Sequence, residues 1–190
     1  MGLGFQELEN IWFYYLSLEA DMEKTEDYVE PYLQEKVYSF EFYKIILLSC
    51  CEIESIFKIL YKELKGKEAG DIGKYKEAVL GRFPHIVEAR VIVPRWRAKN
   101  IRPFSGWDSS PLEWWSVYQR IKHSRGYNYK DATYENAAYA LSALYILILY
   151  LYYLSGYECK ADDAKYIEST YYHHPIDGKD YERLPDTEER

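Results

Sequence analysis

The feature that most constrains the fold is the segment from Ala137 to Tyr157, which carries no charged residue. A segment of this length can span a bilayer. Its five tyrosines, however, are spread from Tyr139 to Tyr153 and are not confined to the two ends, as membrane-interface aromatics are. A seam of small and branched side chains suits helix-on-helix packing: Ala137, Leu141, Leu144, Ile148 and Leu151. We therefore predict a core helix or a dimer helix, and a membrane span is the less favoured alternative.

Helical periodicity recurs before this segment, which predicts an all-α protein, an antiparallel bundle of about four to six helices. Ser110-Pro111-Leu112-Glu113 has the pattern of a capping box, and Gly126 is a natural stop, so one helix is expected at about 111–125. The other predicted helices are at about 5–28, 34–64, 72–80, 84–93 and 134–154.

The chain is expected to form one helical domain over 1–156, followed by an acidic, loosely attached tail over 157–190. Its three cysteines, Cys50, Cys51 and Cys159, are an odd number without metal-ligand spacing, and no signal-peptide pattern opens the chain. We expect a cytoplasmic protein with reduced thiols. Since no phosphate loop, zinc motif or nucleophile elbow is present in the sequence, neither a metal nor a cofactor is expected.

Charge is distributed unevenly along the chain. The net charge is −7, yet ten Lys and Arg against three acidic residues give the segment from Arg82 to Lys130 a local charge of +7, which leaves −14 elsewhere. Basic residues interleaved with aromatic ones are typical of surfaces that bind a nucleic-acid backbone and stack on bases. The predicted nucleic-acid contacts are Arg95, Arg97, Lys99, Arg102, Trp96 and Trp107. The alternative is a solvated basic face whose tryptophans belong to the core.

Most of these residues fall in a long basic loop predicted at 94–110, whose prolines and glycine fit no helical period. A loop of this length within a compact domain is uncommon and is often functional. It can also be a surface loop that is fastened down by its neighbours, and the sequence leaves both interpretations open.

The predicted helix at 111–125 presents a second candidate site. His123 lies almost opposite the apolar Trp114, and Arg120 precedes it by one turn, so the two side chains could address one phosphate. Arg125 projects on the apolar side. There it could pair with Glu54, a carboxylate that helical periodicity places on the apolar stripe of the 34–64 helix, and both residues are structural or site candidates.

Two segments carry a resemblance to a known family: Trp-Trp-x-x-Tyr-Gln-x-Ile-Lys-His-x-Arg at 114–125, and the Ala/Leu/Tyr-rich helix that follows. Over about 34–156 the chain resembles the HEPN superfamily. The resemblance implies an antiparallel helical bundle, often dimeric, that acts in defence, toxin–antitoxin or RNA-processing systems. Active members are metal-independent endoribonucleases with an arginine five to seven residues before the histidine. Those places here hold Ser116, Val117 and Tyr118.

Two functions follow as expectations. The first is an RNA-binding protein, with cleavage by attack of a ribose 2′-hydroxyl on its own phosphate. In that reaction His123 would move the proton, and Arg120 and Lys122 would stabilise the phosphorane charge. The second is a non-catalytic helical module that forms a homodimer through its terminal helix and binds a cognate protein through its acidic exterior. No membrane partner is expected in either case.

Overall fold

A computed structural model of the chain describes residues 3–97, 99–159 and 164, together with the backbone of two short strands near the C-terminus; the side chains of Arg125 and Tyr127 are not included. The helices are α1 (Phe5–Glu26), α2 (Phe40–Lys65), α3 (Ile72–Arg82), α4 (Glu113–His123), α5 (Arg125–Asn128) and α6 (Tyr134–Ser155). The antiparallel strand pairs are β1 (Val91–Val93) with β2 (Lys99–Ile101), and β3 (Tyr171–His173) with β4 (Asp180–Glu182). The predicted all-α helical bundle is confirmed.

The helix α6, whose residues from Ala137 onward carry no charge, lies at the centre of the bundle. Thr133 caps its start by accepting a hydrogen bond from the backbone N–H of Asn136, and Gly156 ends it with a positive φ of 75°, which a glycine adopts without strain. By length and composition α6 could cross a membrane, but 78% of its most apolar stretch is buried against its own chain. This burial identifies α6 as a core helix and leaves little of its surface for a dimer contact.

The helices α1 and α2 pack directly on α6. The Tyr134 hydroxyl at the start of α6 donates to Glu26 at the end of α1, and Tyr152 near the end of α6 donates to Glu9 over 3.4 Å. Hence α1 is antiparallel to α6. Phe42 at the start of α2 meets the ring of Tyr134 at 5.6 Å, so α2 and α6 begin side by side and run in the same direction.

The boundaries of α4 differ from the predicted 111–125. The Ser110 hydroxyl donates to the carbonyl oxygen of Gly106 over 3.1 Å and does not cap the helix, which begins at Glu113. At the other end α4 stops at His123, and Gly126 lies inside the short α5. The predicted capping box and glycine stop were therefore wrong, because the turn before α4 takes up the serine.

Two other predicted boundaries also moved. α2 begins at Phe40 and not near residue 34, because residues 35–37 bond to the start of α6: the N–H groups of Tyr134 and Glu135 donate to the carbonyls of Val37 and Glu35. The helix expected at 84–93 is a 3₁₀ turn over Pro84–Glu88 followed by β1. The predicted 94–110 loop contains β2, and most of the predicted 157–190 tail lies outside the described residues.

The hydrogen bond between Tyr134 and Glu26 provides a test of this packing, because both residues are buried in the described structure. Tyr134→Phe removes the donor and leaves a buried carboxylate with one partner fewer, which is expected to lower the free energy of unfolding by about 1–3 kcal/mol. Urea denaturation measures the change. The matched control is Tyr157→Phe at an exposed position, for which a change below about 0.5 kcal/mol is expected. Equal effects of the two substitutions would contradict the assignment.

Candidate functional site

The core side of α4 determines which of its residues reach solvent. Its buried residues are Trp114, Trp115, Val117, Tyr118 and Ile121. The indole N–H of Trp114 donates to the carbonyl oxygen of Pro103 over 2.7 Å, which fixes the helix against the segment before it. Arg120, Lys122 and His123 are consequently on the exposed side. The predicted opposition of His123 and Trp114 is confirmed.

The Arg120 guanidinium is held between two carboxylates. Its Nη2 donates to Glu113 over 3.0 Å and its Nε donates to Asp131 over 3.1 Å. The hydrogen bonds that Arg120 donates to Glu113 and then to Asp131 raise the pKa of Arg120 above its ordinary value. Arg120 therefore ties the first turn of α4 to the segment before α6, and its charge is already neutralised. A phosphate would have to displace two carboxylates to reach it.

Lys122 connects α4 to α2. Its Nζ donates to the Glu54 carboxylate over 3.1 and 3.4 Å, and to the Tyr118 hydroxyl over 2.9 Å. The Tyr118 oxygen lies 3.7 Å from the sulfur of Cys51, and burial raises the pKa of this hydroxyl. Glu54 thus has Lys122 as its partner. The predicted pairing of Glu54 with Arg125 involves a side chain outside the described ones.

His123 lies at the exposed end of α4. Within the described structure, its side chain makes no hydrogen bond and no ion pair. The three predicted catalytic residues are thus neighbours along one helix, but they do not form one cationic cluster. Two of them are ion-paired with carboxylates, and the third stands alone.

The tryptophans predicted to stack on bases belong to the core. Trp96 and Trp107 are each 2% exposed. The Trp96 ring contacts Tyr134 with centroids 5.1 Å apart, and the Trp107 ring stacks on Phe57 at 5.5 Å. Because each ring is packed against core side chains and only 2% exposed, neither can stack on a nucleotide base at the protein surface. This arrangement corresponds to the alternative in which the tryptophans of the basic segment are core residues.

Several cations of the basic segment are matched by acids from the rest of the chain. Arg95 donates to the Asp27 carboxylate over 3.1 Å and to the carbonyl oxygen of Glu23 over 3.2 Å. A cation at this position also stabilises the C-terminal end of α1 through the helix dipole. Lys99 lies 3.5 Å from Glu35 and 3.9 Å from Glu135. The positive charge seen in the sequence therefore fastens the β1–β2 hairpin to the bundle.

Arg97 and Arg102 differ from Arg95 and Lys99, which form ion pairs. The Arg97 guanidinium carbon lies 3.1 Å from the centroid of the Tyr32 ring, which is a cation–π contact without a carboxylate. Arg102 is exposed, and its side chain has no partner among the described residues. Among the residues that the structure describes, no carboxylate neutralises either of these two predicted nucleic-acid contacts.

Sequence reasoning missed an exposed apolar surface in the connection between α1 and α2. Large apolar side chains turned to solvent are concentrated there, and we call them the α1–α2 surface: Tyr28, Tyr32, Leu33, Tyr38 and Phe40. Tyr28 is 90% exposed and Leu33 74%. Tyr129, from the segment before α6, packs on Phe40 with centroids 4.5 Å apart. Available signals were the density of aromatic residues around Pro31 and their lack of helical spacing.

Comparison of the chain with protein-family models, with curated proteins and with solved structures gives no match. A function for the protein therefore has to be inferred from the geometry of these surfaces.

The ion pair between Glu54 and Lys122 can be separated from its neighbour His123 by a double-mutant cycle. Glu54→Gln and Lys122→Met are expected to show a coupling free energy of about 0.5–1 kcal/mol in urea denaturation, since both side chains are only partly shielded from water. His123→Ala, on the same helix end, is expected to change stability by less than about 0.5 kcal/mol. A coupling of zero, or a larger loss for His123→Ala, would refute this division of roles.

Proposed function

We propose that the protein is a HEPN-like helical interaction module that self-associates through the α1–α2 surface. The observation that carries the proposal is the concentration of exposed apolar side chains between residues 28 and 40. Scattered apolar residues are normal on a protein surface, but a concentration of them marks interaction sites, and tyrosine is enriched in such sites. The other exposed large apolar residues of the described structure are distributed over α1, α2 and the segment after α6: Phe5, Phe13, Leu48 and Tyr157.

A second copy of the chain is a suitable partner because the neighbourhood of this surface carries both signs of charge. Asp27, Glu30, Lys36 and Arg97 are exposed in or beside this stretch, where Asp27 pairs with Arg95, Lys36 pairs with Glu135 and Arg97 stacks on Tyr32. In a two-fold dimer the same patch meets itself, so a patch with only one sign of charge would repel its copy. Mixed charge allows the acidic residues of one copy to meet the basic residues of the other around an apolar centre.

The arrangement of α4 supports a non-catalytic role. A ribonuclease site that stabilises a phosphorane needs cations aimed at the reacting phosphate. Arg120 and Lys122 are engaged by Glu113, Asp131 and Glu54, which makes them part of the framework of the fold. The HEPN-like pattern then serves as a packing signature for α4 on α2.

RNA cleavage is the second candidate function, and one observation favours it. His123 is exposed and unpaired within the described structure, so its imidazole is accessible to a substrate. Cleavage of RNA in the presence of a chelator that disappears in His123→Ala would favour this function over the proposed one. Cleavage that persists in His123→Ala would come from a different group or from a contaminant.

Self-association is tested by light scattering coupled to size-exclusion chromatography. The wild-type chain is expected to elute as a dimer, and Leu33→Glu is expected to shift it to a monomer, because the charge enters an apolar contact. The matched control is Phe13→Glu on α1, a residue 58% exposed and outside the α1–α2 surface, which should remain dimeric. The dimer should survive 1 M salt, which screens charge but leaves apolar burial in place. A wild-type monomer, or a dimeric Leu33→Glu, would contradict the proposal.

A further inference from the structure

A cavity of about 210 Å³ lies between the start of α3 and the turn that leads into α4. Four apolar side chains, Ile72, Trp107, Leu112 and Trp115, form much of its wall. Two of them, Trp107 and Trp115, are tryptophans whose side chains are otherwise packed into the core. The cavity is far from the α1–α2 surface in the sequence, and it shares no residue with that surface.

The polar part of the wall comes from Lys76 and from serines of the turn before α4. Lys76 makes no ion pair or hydrogen bond with another described side chain. Lys74 on the same helix differs, since its Nζ lies 3.4 Å from the Asp71 carboxylate. The hydroxyls of Ser109 and Ser110 both donate to the carbonyl oxygen of Gly106. Their oxygens can therefore still accept a hydrogen bond, but their protons are already used. Lys76 is therefore the one side chain of this wall that offers an uncompensated charge.

We propose that this cavity binds a small organic carboxylate with a flat apolar body. The body would lie against the indole rings and the branched side chains, and the carboxylate would be oriented to Lys76. The volume suits such a ligand, because an apolar cavity of about 150 Å³ already accepts benzene. A carboxylate on a methylene arm adds roughly the remaining volume. The ligand class follows from one cation and an aromatic wall, and it does not depend on self-association.

Phenylacetate is the probe, and its binding to the full chain is followed by tryptophan fluorescence, since Trp107 and Trp115 form part of the wall. A ligand of this size is expected to saturate the signal with a Kd of about 1 mM. Phenylacetamide, which has the same shape without the charge, is expected to bind about tenfold more weakly. This comparison uses the wild-type protein only and does not depend on the folding of a variant.

Two lysine variants locate the charge. Lys76→Met is expected to weaken phenylacetate binding about tenfold and to leave phenylacetamide binding unchanged. Lys74→Met is the matched control, two residues away on the same helix and outside the wall, and it should bind phenylacetate like the wild type. The proposal is overturned if fluorescence does not saturate below about 10 mM, if phenylacetamide binds as tightly as phenylacetate, or if the two variants behave alike.

Discussion

The burial of α6 is the constraint on which the rest of the structure depends. Beyond Glu135 in its first turn, α6 carries no charge and has no side that favours water, so other elements must cover most of its surface. α1 and α2 provide much of that cover, and α4 completes it from the side of its tryptophans. The many tyrosines in this core each bring a hydroxyl that needs a partner when buried. The bond from Tyr134 to the buried Glu26 is one solution, and it couples the end of α1 to the start of α6.

This packing also explains why the cations and tryptophans of the basic segment contact the bundle. The β1–β2 hairpin must lie across the bundle end where α1 stops and α6 begins, and acidic side chains are concentrated there. Arg95 and Lys99 form ion pairs with two of these acids and hold the hairpin in place. Their carboxylate partners, Asp27 and Glu35, are 68 and 64 residues away in the sequence. Trp96 then packs beneath the hairpin on Tyr134. Cations and tryptophans that in the sequence indicate a nucleic-acid surface are used here to hold a loop in place.

Local sequence patterns predicted much of the fold. The predicted helix at 134–154 agrees with the observed ends of α6 within one residue, because its ends are fixed by neighbouring residues, Thr133 and Gly156. The start of α4 could not be predicted in the same way. The Ser110 hydroxyl could have accepted a hydrogen bond from a backbone N–H of α4, but it donates to the carbonyl oxygen of Gly106 in a turn that the contact of Trp114 with Pro103 holds beside α4. The partner of Glu54 likewise depends on how α4 lies on α2, a tertiary fact that helical periodicity does not contain.

The candidate site was predictable to a smaller extent. Periodicity correctly turned His123 to solvent, but it could not show that Arg120 and Lys122 would be paired, since Asp131 and Glu54 come from other parts of the fold. The α1–α2 surface was missed for a related reason. Aromatic residues such as Tyr32 and Phe40 resemble core residues in composition, and only the three-dimensional structure shows that they are left outside.

Hydrogen–deuterium exchange of the unmodified chain at two protein concentrations tests the central claim most directly, because it reports which backbone segments a second copy covers. If the α1–α2 surface is the interface, exchange in peptides spanning residues 28–40 slows as concentration rises through the dimerisation range, while peptides from α4 are unchanged. Exchange that is independent of concentration, or protection centred on the end of α4 around His123, would contradict the account.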